Sequence, residues 1–240
     1  GLVMPTPLAV MKAGELYRRA TGSDTIIVDM GGATTDIHSF ADGRPCSGGR
    51  IVKGPPEPLI KRTVEGDLGM RVSLPALLEV IPPEELAATL PFAVEASELL
   101  AYARRAALSR SLLPGDGRER AFDGAIAAAA IREALRRHAG SLTETYTPQG
   151  RLWVQQGKDL TAAATVIATG GILVHSEDPG ALLRAGLLQE DPLILTPRSP
   201  QLFLDRSYIL ASAGLLAETR PEAAQAILEE TLQPWGGMAG

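Results

Sequence analysis

Apolar positions change their period several times along the chain. Leu8, Met11 and Leu16 recur at roughly helical spacing, predicting a helix over residues 4–20 that stops before Thr21-Gly22-Ser23. Thr25-Ile26-Ile27-Val28-Asp29 is a β-branched run of the kind a buried strand requires. It enters a Gly-Gly turn, and a second strand follows over 35–40. Ile51-Val52-Lys53 is expected as a third strand before the Pro-rich loop 54–58, so that the three make an antiparallel meander at the edge of a mixed sheet. From 73 to about 138 the spacing is helical. Pro75 lies early in a first helix, Pro82-Pro83 opens a second, and Ala/Leu/Arg-rich stretches at 94–112 and 121–138 flank Gly115-Asp116-Gly117. Residues 142–146 and 152–156 bracket Thr147-Pro148-Gln149-Gly150 as a hairpin. A buried strand over 164–168 then runs into Gly170-Gly171. Beyond it come a helix at 179–188, a strand at 193–195, and helices at 206–218 and 222–232. Strand–helix alternation interrupted by a helical block predicts an α/β fold with an insertion. The α/β part covers 1–72 and 140–240, and the inserted helical lobe covers 73–139.

Composition narrows the function. A formal net charge of −5 argues against nucleic acid or an anionic membrane as the main partner. No run approaches the 18 or so apolar residues of a membrane span, and no secretory leader is evident. One cysteine, Cys46, excludes an intramolecular disulfide and a thiolate cluster, and three scattered histidines make a zinc site a poor fit.

The densest chemistry is Asp29-Met30-Gly31-Gly32-Ala33-Thr34-Thr35-Asp36. A strand ends in a carboxylate, a glycine pair turns the backbone, hydroxyls follow, and a second carboxylate opens the next strand. Glycines let backbone N–H groups approach phosphate oxygens, and the Thr34 and Thr35 hydroxyls can donate to the same oxygens. Asp29 and Asp36 suit Mg²⁺ held through water, or orientation of an attacking water. A plain β-hairpin with an Asp-flanked turn is the bland alternative. Gly170-Gly171, after a buried strand, suits an adenosine lying against the backbone, although any strand-to-helix turn can use such a pair. The run 62–71, with Glu65, Gly66, Asp67 and Gly69, either faces a cleft or is a solvated loop whose Asp67 and Ser73 cap a helix. Lys158 reads as an exposed hairpin-end lysine in preference to a nucleotide contact, and His175 as a surface histidine. Cys46 has no His or basic cluster beside it. The pairs Arg104-Arg105 and Arg136-Arg137 read as solvated helix faces, and Trp153 and Trp235 as packing anchors.

The order of these motifs resembles the second half of an actin-like ATPase. Asp29–Asp36 is similar to the superfamily's phosphate-2 motif, and 166–171 to its adenosine motif. The segments 5–16 and 208–214 look like its two crossing connecting helices. Within the superfamily, the chain resembles the MutL/GlmL family, which accompanies adenosylcobalamin-dependent glutamate mutase and related aminomutases. The matching phrases are Met4-Pro5-Thr6-Pro7, Gly31–Asp36, Thr63-Val64-Glu65-Gly66-Asp67-Leu68-Gly69-Met70-Arg71, Tyr146-Thr147-Pro148 and Gly157-Lys158-Asp159-Leu160-Thr161. The phrase at 63–71 is the most particular to the family; the Gly-Gly motifs belong to the superfamily.

That resemblance implies a ribonuclease H-like, actin-like ATPase half. It implies ATP and Mg²⁺ as cofactors, with Asp29 and Asp36 catalytic and metal-holding. Gly31, Gly32, Thr34, Thr35, Glu65, Gly66, Asp67, Gly69, Gly170 and Gly171 would line the nucleotide site. The implied role is that of a cytoplasmic reactivating chaperone for the mutase, with mutase subunits as partners. No phosphate-1 motif precedes Asp29, so the expectation is a C-terminal half whose N-terminal lobe lies elsewhere in a longer protein, with little catalysis by this chain alone. Two other readings stay open: half of a hydantoinase or oxoprolinase-type amidohydrolase, which carries a similar Gly-Gly stretch, and a non-catalytic actin-like scaffold.

Overall fold

A computed structural model of the chain describes residues 4–45, 49–148 and 150–237. Cys46 and Gln149 lie outside the described residues. In chain order, α1 (Thr6–Thr21) leads into β1 (Thr25–Met30) and β2 (Thr35–Phe40), followed by β3 (Arg50–Lys53) and β4 (Ile60–Glu65). Four helices follow: α2 (Leu74–Val80), α3 (Pro83–Ala88), α4 (Ala96–Leu108) and α5 (Gly117–His138). The hairpin β5 (Ser141–Thr147) and β6 (Gly150–Gln156) precedes β7 (Thr165–Thr169), α6 (Gly171–Val174) and α7 (Pro179–Leu187). The chain closes with β8 (Gln201–Leu204), α8 (Ile209–Ala217), α9 (Pro221–Thr231) and β9 (Gln233–Gly237).

The main sheet has the order β4-β2-β1-β7-β8-β9. Its centre is parallel: β7 pairs with β1 on one side and β8 on the other. β2 and β4 run antiparallel at one end and β9 at the other. Helices cover both faces, so the middles of the central strands are apolar, and all of β7 is buried. Ile26, Val28, Met30 and Ile37 pack with Leu74, Leu99, Ile126 and Leu183 from α2, α4, α5 and α7. Ile27, Phe40 and Ile167 pack on the other face with Val10, Leu210 and Leu228 from α1, α8 and α9. The long helix α5 thus shares one core with the sheet. Asp116 starts it, its side chain accepting from the Glu119 N–H at 2.8 Å.

The fold is mixed α/β, as the periodicity requires, and three expectations change in detail. Ile51-Val52-Lys53 is a strand, but it pairs with β6 in a separate three-stranded sheet. The third strand of the meander is β4, whose charged residues disguised it; an edge strand tolerates them because half of its backbone faces solvent. The strand expected at 193–195 reduces to one bridge at Ile194, and β8 takes that place six residues later, after Pro200. Trp235 packs under Arg206, whose guanidinium carbon lies 4.7 Å from the ring centroid, and Trp153 is half-buried.

Lys158 is also corrected, for it is fully buried. Its ammonium donates to Ser39 Oγ at 3.1 Å and to the carbonyls of Pro58 and Leu59 at 2.8 and 3.0 Å, which satisfies all three protons. Ser39 also lies 2.8 Å from His138 Nε2, and His138 Nδ1 lies 2.9 Å from Thr63 Oγ1. This polar seam ties the end of α5 and the 157–159 turn to β2 and β4.

Two outcomes follow from this packing. Gly214 of α8 faces Ala9 of α1, where an added Cβ would overlap the Ala9 carbonyl. Gly214→Ala should therefore lower unfolding stability by about 3 kcal/mol in urea titration. Gly124→Ala in α5, with nothing within 4 Å, should raise it by about 0.5–1 kcal/mol. Burial also holds the imidazoles of His38 and His138 neutral, down to about pH 4 and about 3, from an ordinary value of 6.5. Between those values the unfolded chain binds more protons. Stability should be full above pH 6.5 and fall as pH drops from 6 to 5, by up to roughly 1.4 kcal/mol per histidine per pH unit. His138→Gln should halve that slope, whatever it does to stability at pH 7.

Candidate functional site

β1 and β7 run parallel with Asp29 level with Thr169, so the turns at Gly31-Gly32 and Gly170-Gly171 leave the same edge of the sheet side by side. Gly170 has φ 107°, and a Cβ there would overlap the Met30 carbonyl. Only glycine allows the two turns to lie this close. Asp29 and Asp36 are cross-strand partners in the β1–β2 ladder, and their side chains share the face covered by α1 and α8. The expected carboxylates and glycines therefore converge on one place.

The backbone of the first turn has a definite polarity. Gly31 N–H donates to the Thr34 carbonyl at 2.8 Å. The Gly31 carbonyl accepts from Met70 N–H at 3.1 Å, and the Gly32 carbonyl accepts from Arg71 and Val72 N–H, both at 2.8 Å. Ser73 Oγ donates to the Ala33 carbonyl. Every carbonyl from 31 to 34 is thus engaged. Among the described residues, the N–H groups of Gly32, Ala33 and Thr34 donate to no backbone carbonyl. Gly32 and Ala33 are exposed. A short arc of N–H groups with its carbonyls turned away is the kind of backbone concavity that can take an anion.

The run 65–69 stands behind that arc. A Cβ on Gly69 would overlap the Ala33 backbone, and the buried Thr35 hydroxyl donates to the Leu68 carbonyl at 2.6 Å. The Thr35 proton is therefore committed to fastening the turn, and of the two threonines only Thr34 is partly exposed. Glu65 and Asp67 both accept from Arg137, at 2.8 Å and at 2.8 and 2.9 Å. Those hydrogen bonds hold the Asp67 carboxyl below its ordinary range. Gly66 is exposed at the bend. Arg137, read from the sequence as a solvated residue, is instead the anchor of this loop, while Arg136 stays at the surface with Glu133.

Three more residues join the site: Asp205, which the sequence reading did not single out, and Tyr208 and Arg62, which it named only within the segments 208–214 and 62–71. Asp205 directly follows β8, much as Asp29 stands next to the end of β1, so its signal was a carboxylate at a strand end. It is buried, accepts from Ile209 and Leu210 N–H at the start of α8, and lies 3.3 Å from Thr169 Oγ1. Tyr208 has φ 52°, and its half-exposed ring is close enough to Asp205 and Asp29 to feel both charges. Arg62 of β4 donates to Asp36 Oδ2 at 2.6 Å, leaving the buried Oδ1 without a partner. Burial raises the Asp29 carboxyl above its ordinary range, and the charges of Asp36 and Asp205 raise it further against the opposing pull of Arg62. Such a carboxylate group favours a cation beside it. Among the described residues no three side chains stand close enough to ligate one metal ion directly.

His175 is exposed on a cavity of about 510 Å³ beyond the second turn, lined also by Ile172, Asp123 and Arg132. No helix among the described residues is long and apolar enough to cross a membrane.

Comparison with known proteins agrees with the motifs. The family model described as MutL protein matches residues 1–232. Protein MutL of Clostridium tetanomorphum is 42% identical over 238 residues, which cover 97% of this chain and 51% of that protein. The chain therefore spans about half the length of the curated relative it matches.

The electrostatics of the site can be tested directly. Asp205→Asn keeps an acceptor for the start of α8 but removes a charge from beside Asp29. The Asp29 carboxyl pKa, followed by carbon NMR, should move down toward its ordinary value. An unchanged Asp29 titration would contradict the proposed carboxylate group.

Proposed function

The chain belongs to the MutL protein family, and we propose that it forms one half of an ATP site. The turn at 31–34 takes the phosphates, and Gly170-Gly171 faces the adenosine. The observation that carries this reading is the one-sided polarity of the first turn, whose outward face offers N–H donors alone. Anions gain from such donors because the bonds are charge-assisted. The second glycine turn lies on the same edge, as a ligand touching both requires.

Mg²⁺ suits the acidic side of this edge. Asp29 and Asp36 would hold it through water, with Asp205 nearby, in keeping with the absence of a direct three-ligand cluster among the described residues. Its contribution when bound is positive charge against the phosphates. Thr34 supplies a hydroxyl donor, and Glu65, Gly66, Asp67 and Gly69 act by backing the turn.

The close pass of α1 under α8 at Ala9 and Gly214 supports an actin-like arrangement, in which two crossing helices form the hinge beneath the nucleotide. In this reading a second lobe closes over the ligand, and the whole protein uses ATP to reactivate an adenosylcobalamin-dependent mutase such as glutamate mutase. Family membership is the support for that last step. The phrase at 63–71, which is particular to this family, favours it over hydantoin or oxoproline hydrolysis.

Calorimetry with Mg-ATP tests the site. On this reading the chain, which spans about half of the curated relative, should bind weakly and release no phosphate by itself. A Cβ at Gly32 would meet only Arg71 Cβ at 3.7 Å and Arg71 Cγ at 3.9 Å, so Gly32→Val should keep its melting temperature. Its side chain would cover the donors. Losing two charge-assisted bonds of roughly 1.5–3 kcal/mol each lowers affinity about a hundredfold or more. A Gly32→Val variant that binds Mg-ATP normally would remove the phosphate assignment.

A further inference from the structure

Building on the phosphate-turn reading above, we infer that Arg71 and Asp123 are a positioning pair that sets the anion-binding turn from helix α5. Arg71 meets the turn twice. Its backbone N–H holds the Gly32 carbonyl at 2.8 Å, and its side-chain stem lies against Gly32. Both terminal nitrogens of its guanidinium are hydrogen-bonded. They donate to Asp123 Oδ1 at 3.1 Å and Oδ2 at 2.7 Å, to the Met70 carbonyl at 2.7 Å and to the Leu112 carbonyl at 3.2 Å. A two-pronged Arg–carboxylate pair fixes direction as well as distance.

Asp123 is an unusual residue for its place. It is 1% exposed, on a face of α5 where Phe122, Ile126 and Ala127 are buried too. A buried ion pair is a weak source of net stability, and apolar residues of similar size often serve as well or better. What this pair supplies is an orientation: it holds the segment that pulls the 31–33 carbonyls out of the anion's way. Arg137, further along α5, grips Glu65 and Asp67 at the other end of the same segment. Helix α5 therefore fixes both ends of the strap behind the turn. Asp123 also lines the 510 Å³ cavity, so one carboxylate touches that cavity and, through Arg71, the turn.

The test separates positioning from stability. In the double variant Arg71→Met/Asp123→Leu no buried charge is left unpaired, so the chain should unfold at or above the wild-type urea concentration. Hydrogen exchange at the Met70, Arg71 and Val72 amides should nevertheless quicken at least tenfold, with β7 amides unchanged. Affinity for tripolyphosphate, measured by calorimetry, should fall at least tenfold. Arg71→Lys, which keeps the charge and loses the fork, should shift both readings the same way and serves if the double variant does not fold. Wild-type exchange at 70–72 in these variants would overturn the inference, as would wild-type tripolyphosphate affinity. If the wild-type chain binds no tripolyphosphate yet the exchange quickens as stated, the pair positions the turn and the phosphate reading is what fails.

Discussion

The carbonyl oxygens of Gly31, Gly32 and Ala33 are all held by the segment 70–73, and the site depends on that arrangement. A free tight turn presents carbonyls and N–H groups to water in mixed order, and an anion near it meets both signs. Here the acceptors are satisfied from behind, so the open side carries one sign only. The segment that does this is itself fixed by Arg71 and Arg137 to α5, and α5 is fixed by an alanine-rich face that packs into the sheet. The chain of causes runs from core packing, through two arginine-centred ion pairs, to the direction of three peptide groups.

The sheet supplies the second constraint. Parallel pairing of β1, β7 and β8 brings three strand ends to one edge, and each ends in a polar residue or turn: Asp29, Thr169-Gly170 and Asp205. Burial keeps the Asp29 carboxyl above its ordinary range and the charges of Asp36 and Asp205 push it further, so the geometry that gathers these carboxylates also favours a cation beside them. On the opposite side of the sheet, the Lys158–Ser39–His138 seam is fully satisfied within the protein. It has no access from solvent and serves the fold.

Much of this was legible in the sequence. Asp29-Met30-Gly31-Gly32 stood out because strand, glycine pair and carboxylates lie within a few residues of one another. Gly170-Gly171 carried a weaker signal, a glycine pair after a buried strand, which any strand-to-helix turn can use. What escaped was non-local. Arg137 is 70 residues from Asp67 and Arg71 is 52 from Asp123, and periodicity carries no information about pairs so far apart. Lys158 looked exposed because lysine usually is; only the fold brings Ser39, Pro58 and Leu59 around its ammonium. β4 was hidden by its charges and β8 by its four-residue length. Asp205 could have been found, since it repeats the strand-end carboxylate of Asp29.

The central claim is that the N–H groups of Gly32, Ala33 and Thr34 are the phosphate donors. The most direct measurement is a titration of the ¹⁵N-labelled chain with Mg-ATP, followed amide by amide. The account requires those three amide protons to move downfield together, as protons do on forming charge-assisted bonds, with Gly171 shifting in the same titration. Shifts confined to other residues, with 32–34 unmoved at saturation, would contradict it.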